Sequence, residues 1–200
     1  MKHFFASLFM LFGITSAAQA GIMIEPYLGY QTGDIEYKYN PSFNPVTTEF
    51  KDTASGVGYG LRLGYKFILP WVALDYTQGS GTNKSDSASG LTDADYSHSA
   101  MGAVVGVDLP FLLRVWAGYG FSNQVTLKRT SNDTKLKGTY TKLGVGCTLL
   151  PFLSINLEYQ MNTYKKVDLG LGNGEQDDTA VFSSLKHNPI MLSVSLPLNL

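Results

Sequence analysis

The chain has 200 residues and a formal net charge of -1, a balance that argues against nucleic acid as a partner. Its single cysteine, Cys147, excludes an internal disulfide and a cysteine metal cluster. With 21 glycines, 12% aromatic residues and only 16% charged residues, the composition is poor in charge for a soluble surface, yet no apolar run beyond residue 20 could form a transmembrane helix. Strands that alternate apolar and polar residues reconcile the two facts, because they cross a membrane without a long apolar window.

Residues 1–20 read as a secretion signal peptide. Lys2 and His3 give a basic start, Phe4 to Ile14 is an apolar run too short to span a bilayer, and Ala18-Gln19-Ala20 is the small-residue pattern cut by signal peptidase. No cysteine follows the cut to carry a lipid anchor. One domain is expected over residues 21–200.

In chain order, eight segments alternate with the two-residue period of a strand. The first places Ile24, Pro26, Leu28 and Tyr30 outward. The second carries Val57, Tyr59, Leu61, Leu63, Tyr65 and Phe67 on one face, against Gly56, Gly58, Gly60, Arg62, Gly64 and Lys66 on the other. The third presents Val72, Leu74 and Tyr76; the fourth Met101, Ala103, Val105 and Val107; the fifth Leu113, Val115, Ala117, Tyr119 and Phe121. Leu143, Val145, Cys147 and Leu149 form the sixth set, Leu153, Ile155, Leu157, Tyr159 and Met161 the seventh. The eighth is Leu192, Val194, Leu196, Leu198 and Leu200.

The connections alternate too. Leu69-Pro70-Trp71, Leu109-Pro110-Phe111 and Leu150-Pro151-Phe152 are tight turns, since proline cannot donate to a central ladder. Residues 32–55, 78–95, 122–139 and 163–187 are expected as long polar loops. Short turns on one side and long loops on the other are the asymmetry of outer-membrane barrels. Phe67, Trp71, Phe111 and Phe152 gather at the turn side, and Tyr30, Tyr76, Phe121 and Tyr159 at the loop side, where aromatic rings would meet the membrane interfaces. A soluble β-sandwich is the alternative.

On these residues the chain resembles, over residues 21–200, the small outer-membrane β-barrel family, similar to the OmpA transmembrane domain and OmpX. The resemblance rests on architecture and implies an all-β, eight-stranded antiparallel transmembrane barrel in the outer membrane of a Gram-negative cell. It also implies insertion by the barrel assembly machinery. Family members usually end in Phe after alternating apolar residues. Here Leu196, Leu198 and Leu200 keep the alternation, with Pro197 between them and Leu at the end.

The opposite parity gives the lumen. Glu25, Asp75 and Glu158 are expected to pair there with Arg62, Arg114 and Lys142, accompanied by Tyr27, Gly29, Lys66, His98, Trp116, Asn156 and Gln160. A barrel of this size has room only for its own side chains, which favours a plug over a pore. Arg62 and Arg114 facing lipid at midplane would cost ~2 to 4 kcal/mol each, which makes their inward assignment firm.

Some small outer-membrane barrels are lipid A acylases or deacylases, and the deacylases place His and Ser two apart on one strand. In Tyr96-Ser97-His98-Ser99 the serines point away from His98, and His187 is expected in a loop. No catalytic residue, cofactor or metal site is expected. Alternation continues outward through Phe121, Asn123, Val125, Leu127 and Arg129 to a turn at Ser131-Asn132-Asp133-Thr134, predicting a projecting hairpin. Its Lys128, Arg129, Lys135 and Lys137 are candidates for contact with lipopolysaccharide or an acidic partner, facing an acidic fourth loop with Asp168, Glu175, Asp177 and Asp178. The function expected is a monomeric structural or interaction barrel contacting outer-membrane lipids, with a porin-like ion channel as the alternative and a lipid A-modifying enzyme third.

Overall fold

The computed structural model describes residues 20–45, 48–130, 132–150, 152–172 and 174–200. The expected leader, apart from Ala20, lies outside the described residues. So do Ser131 and Pro151 of the expected turns and Asn173 of the fourth loop.

Each alternating segment forms a strand: β1 (Gly21–Tyr39), β2 (Glu49–Lys66), β3 (Pro70–Lys84), β4 (Ala94–Asp108), β5 (Leu113–Lys128), β6 (Asp133–Leu150) and β7 (Leu153–Asp168). Short pieces follow, β8 (Gln176–Asp177), α1 (Asp178–Val181), β9 (Phe182–His187), β10 (Ile190–Ser195) and β11 (Leu198–Asn199). From β1 to β8 each strand pairs antiparallel with the next, and β10 pairs with β1 on one side and β7 on the other, so the sheet closes. β9, β10 and β11 lie end to end along β1 as one interrupted eighth stave, which makes an eight-stranded barrel. The interruptions fall at Pro189 and Pro197, whose missing N–H breaks the ladder. The Pro189 carbonyl still accepts from Gln160 N at 3.0 Å, and Leu196 N donates to Pro26 O at 3.0 Å, so the stave remains bonded on both flanks.

The ends of the barrel differ as the connections require. Between β4 and β5, Phe111 and Leu112 both take φ of 67°, the left-handed geometry that suits a tight hairpin's twist. On the other side the strands run much further than polarity suggests, and β1 and β2 stay paired out to Lys38 and Glu49. The long connections are therefore mostly sheet. Their polar residues alternate with buried ones, and this tall collar stands beyond the apolar belt.

The outer face carries the apolar parity. Leu28, Leu74, Val105 and Leu192 are each more than half exposed, a band that water would penalise and a bilayer covers. Trp71 departs from its expected place in the lipid-facing belt. It shares the parity of Ala73 and Asp75, is wholly buried in the lumen, and donates its Nε1–H to Asp108 at 2.9 Å.

A second departure lies in β5. Gly120 pairs with Tyr140 but Asn123 with Gly138, so Phe121 and Ser122 share one step of the ladder. This bulge reverses the parity beyond it. Asn123, Val125 and Leu127, expected outward, are buried inside the barrel, the last two within the collar.

Candidate functional site: the barrel interior

Inward residues of β1 mark successive layers from the turn side to the loop side: Met23, Glu25, Tyr27, Gln31, Ile35 and Tyr37. At Met23 the floor is apolar, with Trp71, Ala73, Val104 and Trp116 packed around it. An added Cβ at Gly144 would overlap the Trp116 indole, so this neighbour must be glycine for the ring to fit.

The charged layer follows. Register brings Glu25 opposite Arg62 and Arg62 opposite Asp75, while Glu158 faces Lys142 diagonally across Gly144. Arg114 donates from Nη1 and Nη2 to the two oxygens of Glu25 at 3.0 and 2.9 Å, a bidentate pair. Arg62 Nη1 donates to Glu25 at 3.1 Å, and its Nη2 bonds Glu158. Lys142 reaches Asp75 at 2.6 Å and Glu158 at 3.1 Å. All six side chains are buried in one connected network. Arg62 also lies 4.8 Å from the Tyr27 ring centre and 4.9 Å from that of Trp116.

Two members were not singled out from sequence as partners in this network. Asp108 accepts from Lys66 Nζ at 2.6 Å and Arg114 Nε at 3.1 Å, closing the network toward the turns. Its inward parity on β4, with Val104 and Gly106, was the available signal. With it, carboxylates Glu25, Asp75, Asp108 and Glu158 balance cations Arg62, Lys66, Arg114 and Lys142.

Above the charges lies a neutral polar layer. His98 shares a hydrogen bond of 3.0 Å between its Nε2 and Asn123 Oδ1, and Asn123 donates to Asn162 at 2.7 Å. His187, expected in a loop, instead ends β9 within the eighth stave and is buried, with Nδ1 2.8 Å from the Tyr164 hydroxyl. Among the described residues no group of three His, Cys, Asp or Glu side chains converges to hold a metal ion.

The collar above is mostly apolar inside, with buried Asp52 and Asn83 and the inward Arg129 as its polar members. Ile35, Tyr37, Phe50, Tyr96, Val125 and Leu127 form part of one buried cluster that also includes Leu136, Val181 and Phe182. Sequence reading missed it because its residues sit in stretches that look like polar loops. Outside the collar, Lys51 binds Asp34 at 2.8 Å, and this hydrogen-bonded ammonium holds the Asp34 carboxyl below its ordinary pKa. The basic residues of the β5–β6 hairpin do not stay together. Arg129 turns to buried Asp52 at 3.4 Å, Lys137 bonds Glu175, Lys128 stands across from Asp133, and Lys135 across from Asp168.

An apolar exterior around a charge-paired interior defines an integral membrane barrel. The chain belongs to the outer membrane protein beta-barrel domain family, whose model matches residues 5–194. No curated protein matches it significantly in sequence. Among solved structures it is similar to Neisserial surface protein A, at 14% identity and a TM-score of 0.50 over 86% of this chain and 97% of that one. The attachment invasion locus protein Ail of Yersinia pestis, solved with the heparin analogue sucrose octasulfate, gives 10% identity and a TM-score of 0.57 over 89% and 99%. The outer membrane protein AlkL gives 13% and 0.52 over 92% of each chain. These likenesses are likenesses of fold, and with the family they place the protein in the outer membrane.

Proposed function

We propose that the protein is a closed barrel with a structural or interaction role, delivered by a cleaved leader, and neither a pore nor an enzyme. The observation that carries this reading is the largely buried balance of four carboxylates and four cations across the lumen, with apolar side chains packed among its turn-side members and an apolar cluster beyond the polar layer above it. Breaking such a network leaves uncompensated charge in a low-dielectric interior, so no open state is supplied by small rearrangements. Against catalysis, the ring nitrogen of His98 nearest a partner is engaged by Asn123, while Ser97 and Ser99 lie on the opposite face of β4. Lipopolysaccharide, the partner expected for the basic hairpin, would meet Lys128, Lys135 and Lys137 without Arg129, which faces inward.

Planar-bilayer recording of the protein refolded from residues 21–200 tests the reading. The expected result is a flat baseline at physiological salt. Reproducible conductance steps would replace it with the channel reading, and a product from purified lipid A would restore the enzyme.

A further inference from the structure

The two ends of the barrel differ in polarity as well as in length. Residues 67–70, 109–112 and 149–152, the three tight turns, include no Asp, Glu, Lys or Arg. Large apolar side chains project from them instead, with Ile68 63%, Phe152 54% and Phe111 92% exposed. The charges nearest these turns point away into the lumen, where Lys66 and Arg114 share Asp108. At the loop end, by contrast, Glu36, Lys51, Lys84 and Lys165 stand on the outside of the collar. An end that stood in water would expose a larger apolar surface than a soluble face carries.

Height and backbone geometry together decide what covers this end. From the aromatic edge at Tyr76 to Leu69, and from Tyr159 to Phe152, the strands descend ~18 Å at the usual rise and tilt. The apolar band of a membrane barrel is ~25 Å tall, so with those tyrosines at the outer interface the turns still lie in lipid. The turn side chains also continue the lipid-facing surface without a polar break, Ile68 and Leu69 toward Val72, and Phe111 and Leu112 into Leu113 and Val115. In the β4–β5 turn, Phe111 and Leu112 occupy the left-handed positions where glycine or asparagine is usual. Bulky residues are strained there, and strain of this kind persists where the position has a task. The turn is fixed all the same, because the Leu112 carbonyl accepts from Thr148 N at 2.7 Å and Leu109 N donates to the Leu113 carbonyl at 2.7 Å.

We propose that the turn end is a lipid-binding face, with the three turns sunk into the acyl chains of the inner leaflet and Phe111 as the anchor of the β4–β5 turn. The water-facing surface of this barrel is then the collar, and its interaction role is exercised on the outer side alone. The depth of the turns follows from the barrel's place in the membrane and does not depend on whether the lumen conducts.

The test is nitroxide labelling of protein refolded from residues 21–200 into phospholipid vesicles, where no other protein is present to cover the turns. In a Cys147→Ala background, single labels are placed through Ile68→Cys and Leu109→Cys, with Leu74→Cys as the lipid reference and Leu91→Cys, between β3 and β4, as the water reference. In samples that keep heat-modifiable mobility, both turn labels should collide with a water-soluble nickel chelate about tenfold less often than the Leu91→Cys label, and with oxygen as often as the Leu74→Cys label. Adding Phe111→Asp should raise nickel collisions at the Leu109→Cys label about threefold, since a carboxylate draws its turn toward water. Nickel collisions equal to those of the water reference would place the turns outside the lipid and overturn the proposal. Spectral broadening that vanishes on dilution with unlabelled protein would overturn it in favour of a second copy as the cover, and no response to Phe111→Asp would overturn the anchor.

Discussion

Arg62 shows what parity can and cannot say about a single residue. A guanidinium on the outward face would sit in lipid, so alternation on β2 is enough to turn it inward, and the same reasoning groups Glu25, Asp75, Arg114, Lys142 and Glu158. Which carboxylate meets which cation depends on register and side-chain reach, and these are not written in the alternation. Arg62→Ala should destabilise the folded barrel by about 3 kcal/mol or more, because Glu25 and Glu158 each lose a buried partner. Arg62→Lys should recover only part of that, since one ammonium cannot reproduce a forked guanidinium between two carboxylates. Urea midpoints of the refolded variants measure both, and equal midpoints for wild type and Arg62→Ala would remove the network from the stability of the fold. Outside the membrane, the Asp34–Lys51 pair makes a gentler prediction. The folded pKa of Asp34 is depressed, so its small contribution is present above the unfolded value and is lost as pH falls through the folded one. Carboxyl NMR titration should show the Asp34 midpoint rising toward the ordinary value in Lys51→Ala, and an unmoved midpoint would assign the shift to Thr53, the remaining hydrogen-bond donor.

At the scale of elements, the eight staves and their tight turns were legible because period-two alternation and turn prolines are local signals. Three features were not local. Trp71 looked like a lipid-facing belt residue because aromatics near a turn usually are, but its parity joins it to Asp75, and Asp108 waits inside for its N–H. The collar looked like loops because half of its residues are polar, although the buried half includes Ile35, Tyr37, Val125 and Leu136. Beyond Phe121 the bulge inverted the inside and outside of β5, which no alternation count can detect without the register of β6. Deleting Ser122 should remove the extra step and turn Val125 and Leu127 out to water while drawing Gln124 and Thr126 in. Deleting Leu91, in the unpaired connection between β3 and β4, should be tolerated. Heat-modifiable gel mobility and urea midpoints should separate the two deletions clearly, and similar behaviour would mean that the bulge does not set the packing of the hairpin.

For the whole molecule, the lumen has two seals in series with different physics. The lower one is electrostatic, held by Glu25 between Arg62 and Arg114; the upper one is apolar, where Val125, Leu127 and Leu136 meet side chains from the opposite wall. Removing Glu25 leaves the network with one cation in excess, which admits water and anions to that layer but leaves the apolar seal intact above it. Replacing Val125 and Leu127 by serine wets the collar but leaves the charge layer paired. Each change alone should therefore keep the bilayer baseline flat. Combined in one protein that still shows heat-modifiable mobility, they should open a small, anion-selective leak, because the excess positive charge lines the only continuous wet path. A leak in Glu25→Ala alone would show that the collar does not seal, and a flat baseline in the combined variant would show that tight packing of the remaining side chains closes the barrel without either layer.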